Sequence, residues 1–153
     1  MLLEEIPDQL RSLLLASSEL SALGVSVLQG FQASSDFEQL DEDTRAALQG
    51  APGMCLVVEI PGGARLESES LGGFEEVLCS VALLENPGIN TGAAWRSPLQ
   101  VIRLARAAVI GGPADYALTN LNTFRAGDPT WEHRPGNDQR NLYRIHFEIT
   151  TEG

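Results

Sequence analysis

Between Glu75 and Val109 the chain passes from an alternating apolar strand (EEVLCSVALLE) through Glu85-Asn86-Pro87-Gly88-Ile89-Asn90 into a helix that opens on Ser97-Pro98. Glu76 to Glu85 is long enough to cross a whole sheet, and a period of two puts Val77, Cys79, Val81 and Leu83 on one face and Leu78, Ala82 and Leu84 on the other. Both faces are apolar, so both need a cover: helices on one side, and a helix or a neighbouring subunit on the other. Asn86-Pro87-Gly88 predicts a tight turn in which asparagine initiates, proline fixes φ and glycine takes a conformation other residues avoid. Ser97 is the expected N-cap and Pro98 the first helical residue, with Leu99, Ile102, Ala105, Ala108 and Val109 following at helical spacing and Gly111-Gly112-Pro113 as the stop. Arg103 and Arg106 fall on the polar side of that helix, as surface ion-pairing groups.

Around this unit the pattern predicts further elements. Ile6, Leu10, Leu13, Leu14 and Ala16 recur at helical spacing over Ile6 to Leu20, with acids in the first turn and Gly24 as terminator. Val25, Val27 and Phe31 alternate with Ser26 and Gly30 as a short half-buried strand. Ser34 to Gly50 has Ser35 or Asp36 as a cap and a thin apolar set of Phe37, Leu40, Ala47 and Leu48. It admits a short helix or an ordered loop and reads first as a solvated acidic face. Met54 to Ile60 predicts a central strand ended by Pro61-Gly62-Gly63, and Ala64 to Ser70 a hairpin arm or loop tip. Leu121 to Arg125 precedes a break at Gly127-Asp128-Pro129. The closing strand, Leu142 to Thr150, puts Tyr143, Ile145, Phe147 and Ile149 on one face and Arg144, His146 and Glu148 on the other. Its edge is either paired within the sheet or open to another chain. No repeat of domain-building length and no low-complexity tract interrupts the chain.

A length of 153 residues with 43% hydrophobic content suits one domain spanning 1–153 that builds its core without disulfide or metal. No apolar run reaches bilayer-spanning length, and Glu4, Glu5 and Asp8 stand where a secretory signal has basic residues, so the expectation is a chain kept in the cytoplasm with no membrane partner. Cys55 and Cys79 lie in apolar strand patterns and read as inert core thiols. The chain has 21 acids against 10 bases, and every base is arginine. A net charge of -11 argues against direct binding to a nucleic-acid backbone. The imbalance is uneven: residues 1–50 hold nine acids and two arginines, 51–100 six and two, and 101–153 six and six.

Chemistry-bearing constellations are missing from the pattern. His146 and Glu148 share a strand face but lack a third ligand at metal-site spacing, and Glu132-His133 after Trp131 is no stronger. Neither cysteine sits beside a base that would activate it. No serine occupies a Gly-x-Ser-x-Gly elbow, and Gly62-Gly63, Gly72-Gly73 and Gly111-Gly112 lack the lysine of a phosphate loop. Glu75-Glu76 and Asp41 to Asp43 are adjacent carboxylates on exposed segments, without the burial that separates an acid from a base. The expectation is no enzyme, no catalytic, cofactor-binding or metal residue, and no cofactor. Trp95, Trp131 and Tyr143 read as core or interface aromatics, or as the walls of a small pocket.

Val81-Ala82-Leu83-Leu84-Glu85-Asn86-Pro87-Gly88-Ile89-Asn90, the helix from Pro98 to Ile110 and the closing Leu142-Tyr143-Arg144-Ile145-His146-Phe147-Glu148-Ile149 resemble the tail terminator, or tail completion, proteins of long-tailed bacteriophages and prophages. The order of elements follows that family over most of the chain, and the likeness is specific in these stretches. The resemblance implies an α+β fold: a mostly antiparallel sheet of about four to six strands with two main helices packed on one face. It also implies a homo-oligomeric ring, commonly of six copies, seated on the tail tube. Such a ring stops tube polymerisation and joins tail to head, with the tail tube protein and a head-connector protein as partners. Assembly would take place in the bacterial host cytoplasm, with the product in the virion tail. Under that reading Pro61 to Gly73 and Thr123 to Asn141 are loops that reach neighbours, and the acidic excess lines the lumen and repels passing DNA. The alternative is a non-phage α+β interaction or small-ligand-binding domain without catalysis.

Overall fold

The computed structural model describes residues 5–29, 37–66, 74–110, 125–126, 130–134 and 140–152, with side chains described for 7–28, 42–59, 80–110 and 141–146. The fold is α+β. Helices α1 (Glu5–Leu15) and α2 (Ser18–Leu23) lead into strand β1 (Ser26–Gln29), followed by α3 (Phe37–Gln49) and strands β2 (Met54–Leu66) and β3 (Phe74–Glu85). A one-turn 3-10 helix (Gly92–Ala94) precedes α4 (Pro98–Ile110), and β4 (Arg125–Ala126), β5 (Thr130–Arg134) and β6 (Arg140–Glu152) complete the order.

These strands form one six-stranded mixed sheet in the order β1-β2-β3-β6-β4, with β5 also on β6. Only β1 runs parallel to its neighbour, with Ser26 opposite Cys55; β2–β3, β3–β6, β4–β6 and β5–β6 are antiparallel. The closing strand is therefore paired on both sides, between β3 and the β4–β5 flank, which resolves the alternative left open by its sequence. Thr130–Arg134 is a paired strand and not part of a free loop. The Pro61-Gly62-Gly63 segment does not end β2 either. The strand continues to Leu66 with a register shift between Glu59 and Gly63, so glycine and proline are absorbed as a bulge while Ala64 to Leu66 form the hairpin arm opposite Glu75 to Val77.

Alternation along the strands divides the core. Val27, Met54, Leu56, Val58, Val81, Leu83 and Ile145 face Leu10, Leu13 and Leu14 of α1, Leu20 of α2, and Val101, Ile102, Ala105 and Val109 of α4. Leu28, Cys55, Val57 and Leu84 face the other way, onto Ala47 and Leu48 of α3. Thus α3 is a helix, one of the two forms its sequence admits, packed on the second sheet face through Ala47 and Leu48 of its expected apolar set, with acids on its solvated side. Leu48 is 3% and Thr44 6% exposed, while Glu42 and Asp43 point to solvent.

Two further local readings change. The helix expected over Ile6 to Leu20 breaks at Ala16-Ser17, because the Ser17 hydroxyl accepts the Leu20 amide at 3.3 Å and starts α2 afresh. Leu99 belongs to the outer side of α4 at 40% exposure, the buried line being Pro98, Val101, Ile102, Ala105 and Val109. Ser97 does cap α4, accepting the Gln100 amide at 3.3 Å, and Gly24 closes α2 in the left-handed region at φ 71. Phe31, Ser35, Asp36, Gly72-Gly73, Gly111-Gly112-Pro113, Leu121 to Phe124 and Gly127-Asp128-Pro129 lie outside the described residues.

Candidate functional site

The Asn86 to Arg96 connection is the most densely organised polar region among the described residues. The Asn86 Oδ1 accepts the Gly88 amide at 3.0 Å, closing the turn, and its Nδ2 donates to the Leu48 carbonyl at 2.9 Å, tying the end of α3 to the connection. Gly88 takes no positive φ, contrary to expectation. A side chain there would meet Asn86 Oδ1 at 3.2 Å, so glycine serves that close approach. The left-handed glycines here are Gly92 of the connection, at φ 70, and Gly53, at φ 74, whose carbonyl accepts the Asn86 amide at 2.8 Å.

Asn90 is 4% exposed and makes the central clamp. Its Nδ2 donates to Glu85 Oε2 at 2.6 Å and to the Arg96 carbonyl at 2.8 Å, and its Oδ1 accepts the Arg96 amide at 2.9 Å. Glu85 Oε1 accepts from Asn141 Nδ2 at 2.7 Å. A carboxylate at 4% exposure is thereby held by donors from the connection and from β6, as a buried charge requires. This arrangement fixes three elements and leaves neither carboxylate oxygen without a donor.

A second polar group lies on the α3 side of the sheet. Glu59 Oε1 accepts from Ser80 Oγ at 2.8 Å and from Arg144 Nε at 2.7 Å. His146 stands opposite Ser80 in the β3–β6 register, half-buried, and its Nδ1 has no hydrogen-bond partner among the described residues. Sequence spacing pairs His146 with Glu148, whose side chain lies outside the described residues; the register sets His146 beside a serine already engaged by Glu59. Ser80 is fully buried and donates to a carboxylate, so it is not presented as a nucleophile. Among the described residues no group of three or more His, Cys, Asp or Glu side chains is placed to hold a metal ion. Cys55 is buried at 0% exposure. The side chains of Cys79, Glu132, His133, Glu148, Glu75, Glu76 and Asp41 lie outside the described residues.

Of the three aromatics, the side chains of Tyr143 and Trp95 are described and that of Trp131 lies outside the described residues. Tyr143 packs against the first core, and Trp131 stands opposite it in the β5–β6 register. Trp95 is 52% exposed on the connection into α4. With Ile89 at 39% and Leu99 at 40% it gives the connection and the start of α4 an apolar outer surface. A separate hollow of about 260 Å³ opens between α1, α2 and β1, lined by Leu14, Leu15, Leu20, Ser21, Gly24, Val25 and Val27. Beside it Arg11 Nε donates to the Val27 carbonyl at 3.2 Å, a side-chain cover on the edge strand. Sequence reasoning singles out Asn86 as a turn former but misses Asn90, whose only signal is its spacing behind Asn86-Pro87-Gly88. No described helix is long and apolar enough to cross a membrane. No protein-family model matches this chain, and no curated protein matches it.

Proposed function

We propose that this chain is a structural subunit of a phage or prophage tail. It forms a homo-oligomeric ring that caps the tail tube, ends tube polymerisation and joins tail to head. One observation carries the reading: Ile89 and Trp95 stand outward on a connection held by Asn86 and Asn90, and Leu99 stands outward at the start of α4 that follows it. Exposed tryptophan and aliphatic side chains on a rigid support suit a surface that docks, because little conformational entropy is lost on binding. The buried Glu85, Asn90 and Ser80 and the half-buried Glu59 support a non-catalytic role, since all four are used in holding strands and connection together. The β2–β3 arm beyond the register shift is a second element for reaching a neighbour, and the acidic excess suits a lumen through which DNA slides.

The partners under this reading are further copies of the chain, the tail tube protein and a head-connector protein, with no cofactor, no membrane and no sequence-specific nucleic-acid contact. Mass measured by light scattering across concentration, alone and with tail tube protein, followed by imaging, tests it. The expected result is a closed ring of defined copy number, alone or on the tube end. A chain that stays monomeric and ignores the tube would overturn it. The second reading, a small-ligand-binding domain without catalysis, rests on the hollow beside β1. At about 260 Å³ it is below the roughly 300–1,000 Å³ of most ligand pockets, and Ser21 is the only polar side chain among its described lining residues.

A further inference from the structure

Helices α3 and α4, on opposite faces of the sheet, differ in charge, while α1 and α2 on the α4 side add Glu5, Asp8 and Glu19 against Arg11. Residues Asn86 to Ile110 contain Arg96, Arg103 and Arg106 and no acid, in a chain of net charge -11. On α4, Leu99, Arg103, Arg106 and Ile110 recur at i, i+4, i+7 and i+11 and so form one line along the helix. Leu99 and Ile110 are 40% and 43% exposed, Arg103 is exposed and Arg106 half-buried, so this line is an outward stripe with apolar ends and a cationic middle. On the opposite face, α3 carries Glu38, Asp41, Glu42 and Asp43 against Arg45 alone. Glu42 and Asp43 are exposed on it, and the exposed Ala46 one turn beyond Glu42 leaves room for another backbone. The two helices cover different faces of one sheet, α4 in the first core and α3 in the second, so their outward surfaces do not meet within one copy.

We infer that the α3 surface of one copy docks on the α4 stripe of the next, with Glu42 opposite Arg103 and with Leu99 and Ile110 flanking the charged centre. The interface joins two different faces, so it is head-to-tail and closes into a ring if the rotation divides a circle. This deepens the proposed ring and rests on it. It also takes the α3 acids out of the lumen and leaves that lining to other parts of the chain. A second copy fits the stripe better than a nucleic acid does. Three arginines offer few phosphate contacts, and the remaining surface repels a polyanion, whereas α3 supplies the complementary acids at a local concentration set by assembly.

Charge reversal on the full chain tests the contact by sedimentation and light scattering across concentration. Arg103→Glu and Glu42→Arg should each weaken self-association about tenfold or more, because each puts like charges opposite one another, and the Arg103→Glu/Glu42→Arg double variant should recover most of the loss. Leu99→Ser provides an independent lesion in the same stripe and should also weaken association. Circular dichroism and thermal melts of every variant are expected to match the parent chain, since all three residues are exposed. Association that is indifferent to both single reversals, or a double variant no better than the singles, would overturn the interface and leave the ring reading standing. A chain monomeric at every concentration overturns it too, and the terminator reading then depends on the tube-binding test alone. Binding of a labelled DNA duplex that Arg103→Glu abolishes, with self-association unchanged, would reassign the stripe to nucleic acid.

Discussion

Gly53 has no space for a side chain: a Cβ there would lie 2.9 Å from the Cβ and Cγ2 of Ile89 and 3.1 Å from the Asn90 nitrogen, and its φ of 74 is left-handed. Gly53→Ala adds a roughly 1–2 kcal/mol backbone penalty to that clash, so the urea midpoint should fall clearly. An unchanged midpoint would show that the connection yields freely. Asn90→Ala removes a donor from a buried carboxylate and a two-way bond to Arg96, and should cost about 1–3 kcal/mol in chemical denaturation. If the loss is instead within error, the clamp is redundant with Asn141. Both residues sit within or beside motifs visible in the sequence, yet the sequence points to Gly88 as the special glycine. Turn propensity identifies where a glycine is favoured; only the packing of Ile89 onto Gly53 shows which one is crowded.

At the scale of elements, α3 is the segment whose sequence reading stayed open between helix and loop, and the structure makes it a helix. Its apolar set is sparse and its acids dominate, so local pattern favours solvent; in the fold Leu48 and Ala47 seal the second sheet face over Cys55 and Val57. Leu48→Ala should therefore destabilise by about 2–5 kcal/mol, as for other buried leucines, and a thermal melt checks this. A shift no larger than that of an exposed substitution would mean that α3 is only loosely attached. Strands β3 and β6 and the start of α4 were legible because each encodes its own period or cap. The break at Ser17 and the passage of β2 through Pro61-Gly62-Gly63 were not, because a capping hydroxyl competes with helix continuation and a paired neighbour carries a strand past its breakers.

For the whole molecule, helices on both faces of a mixed sheet leave its outer surfaces and its two edges as the places where other chains can attach. Arg11 partly covers the β1 edge through the Val27 carbonyl, while α4 and the connection before it present Trp95, Leu99 and Ile110 uncovered by any described element. The expected consequence is association through helix faces more than through strand addition. Association measured by light scattering should respond to Arg103→Glu and not to a polar substitution at Ser26, the exposed residue at the start of β1. The reverse pattern would point to the sheet edge.

Sequence alone determined the two-faced apolar strand, the one-sided closing strand, the capped helix between them and the shortage of chemistry-bearing clusters. Each of these follows from local spacing, and local spacing reports the period at which a chain buries its side chains. The tertiary structure alone decided that β1 lies parallel to β2, that α3 covers the second face, that Asn90 clamps Glu85 to the connection, and that the acid-rich α3 and the acid-free α4 lie on opposite sides. Those facts depend on which elements meet, and long-range packing sets that without leaving a period in the chain.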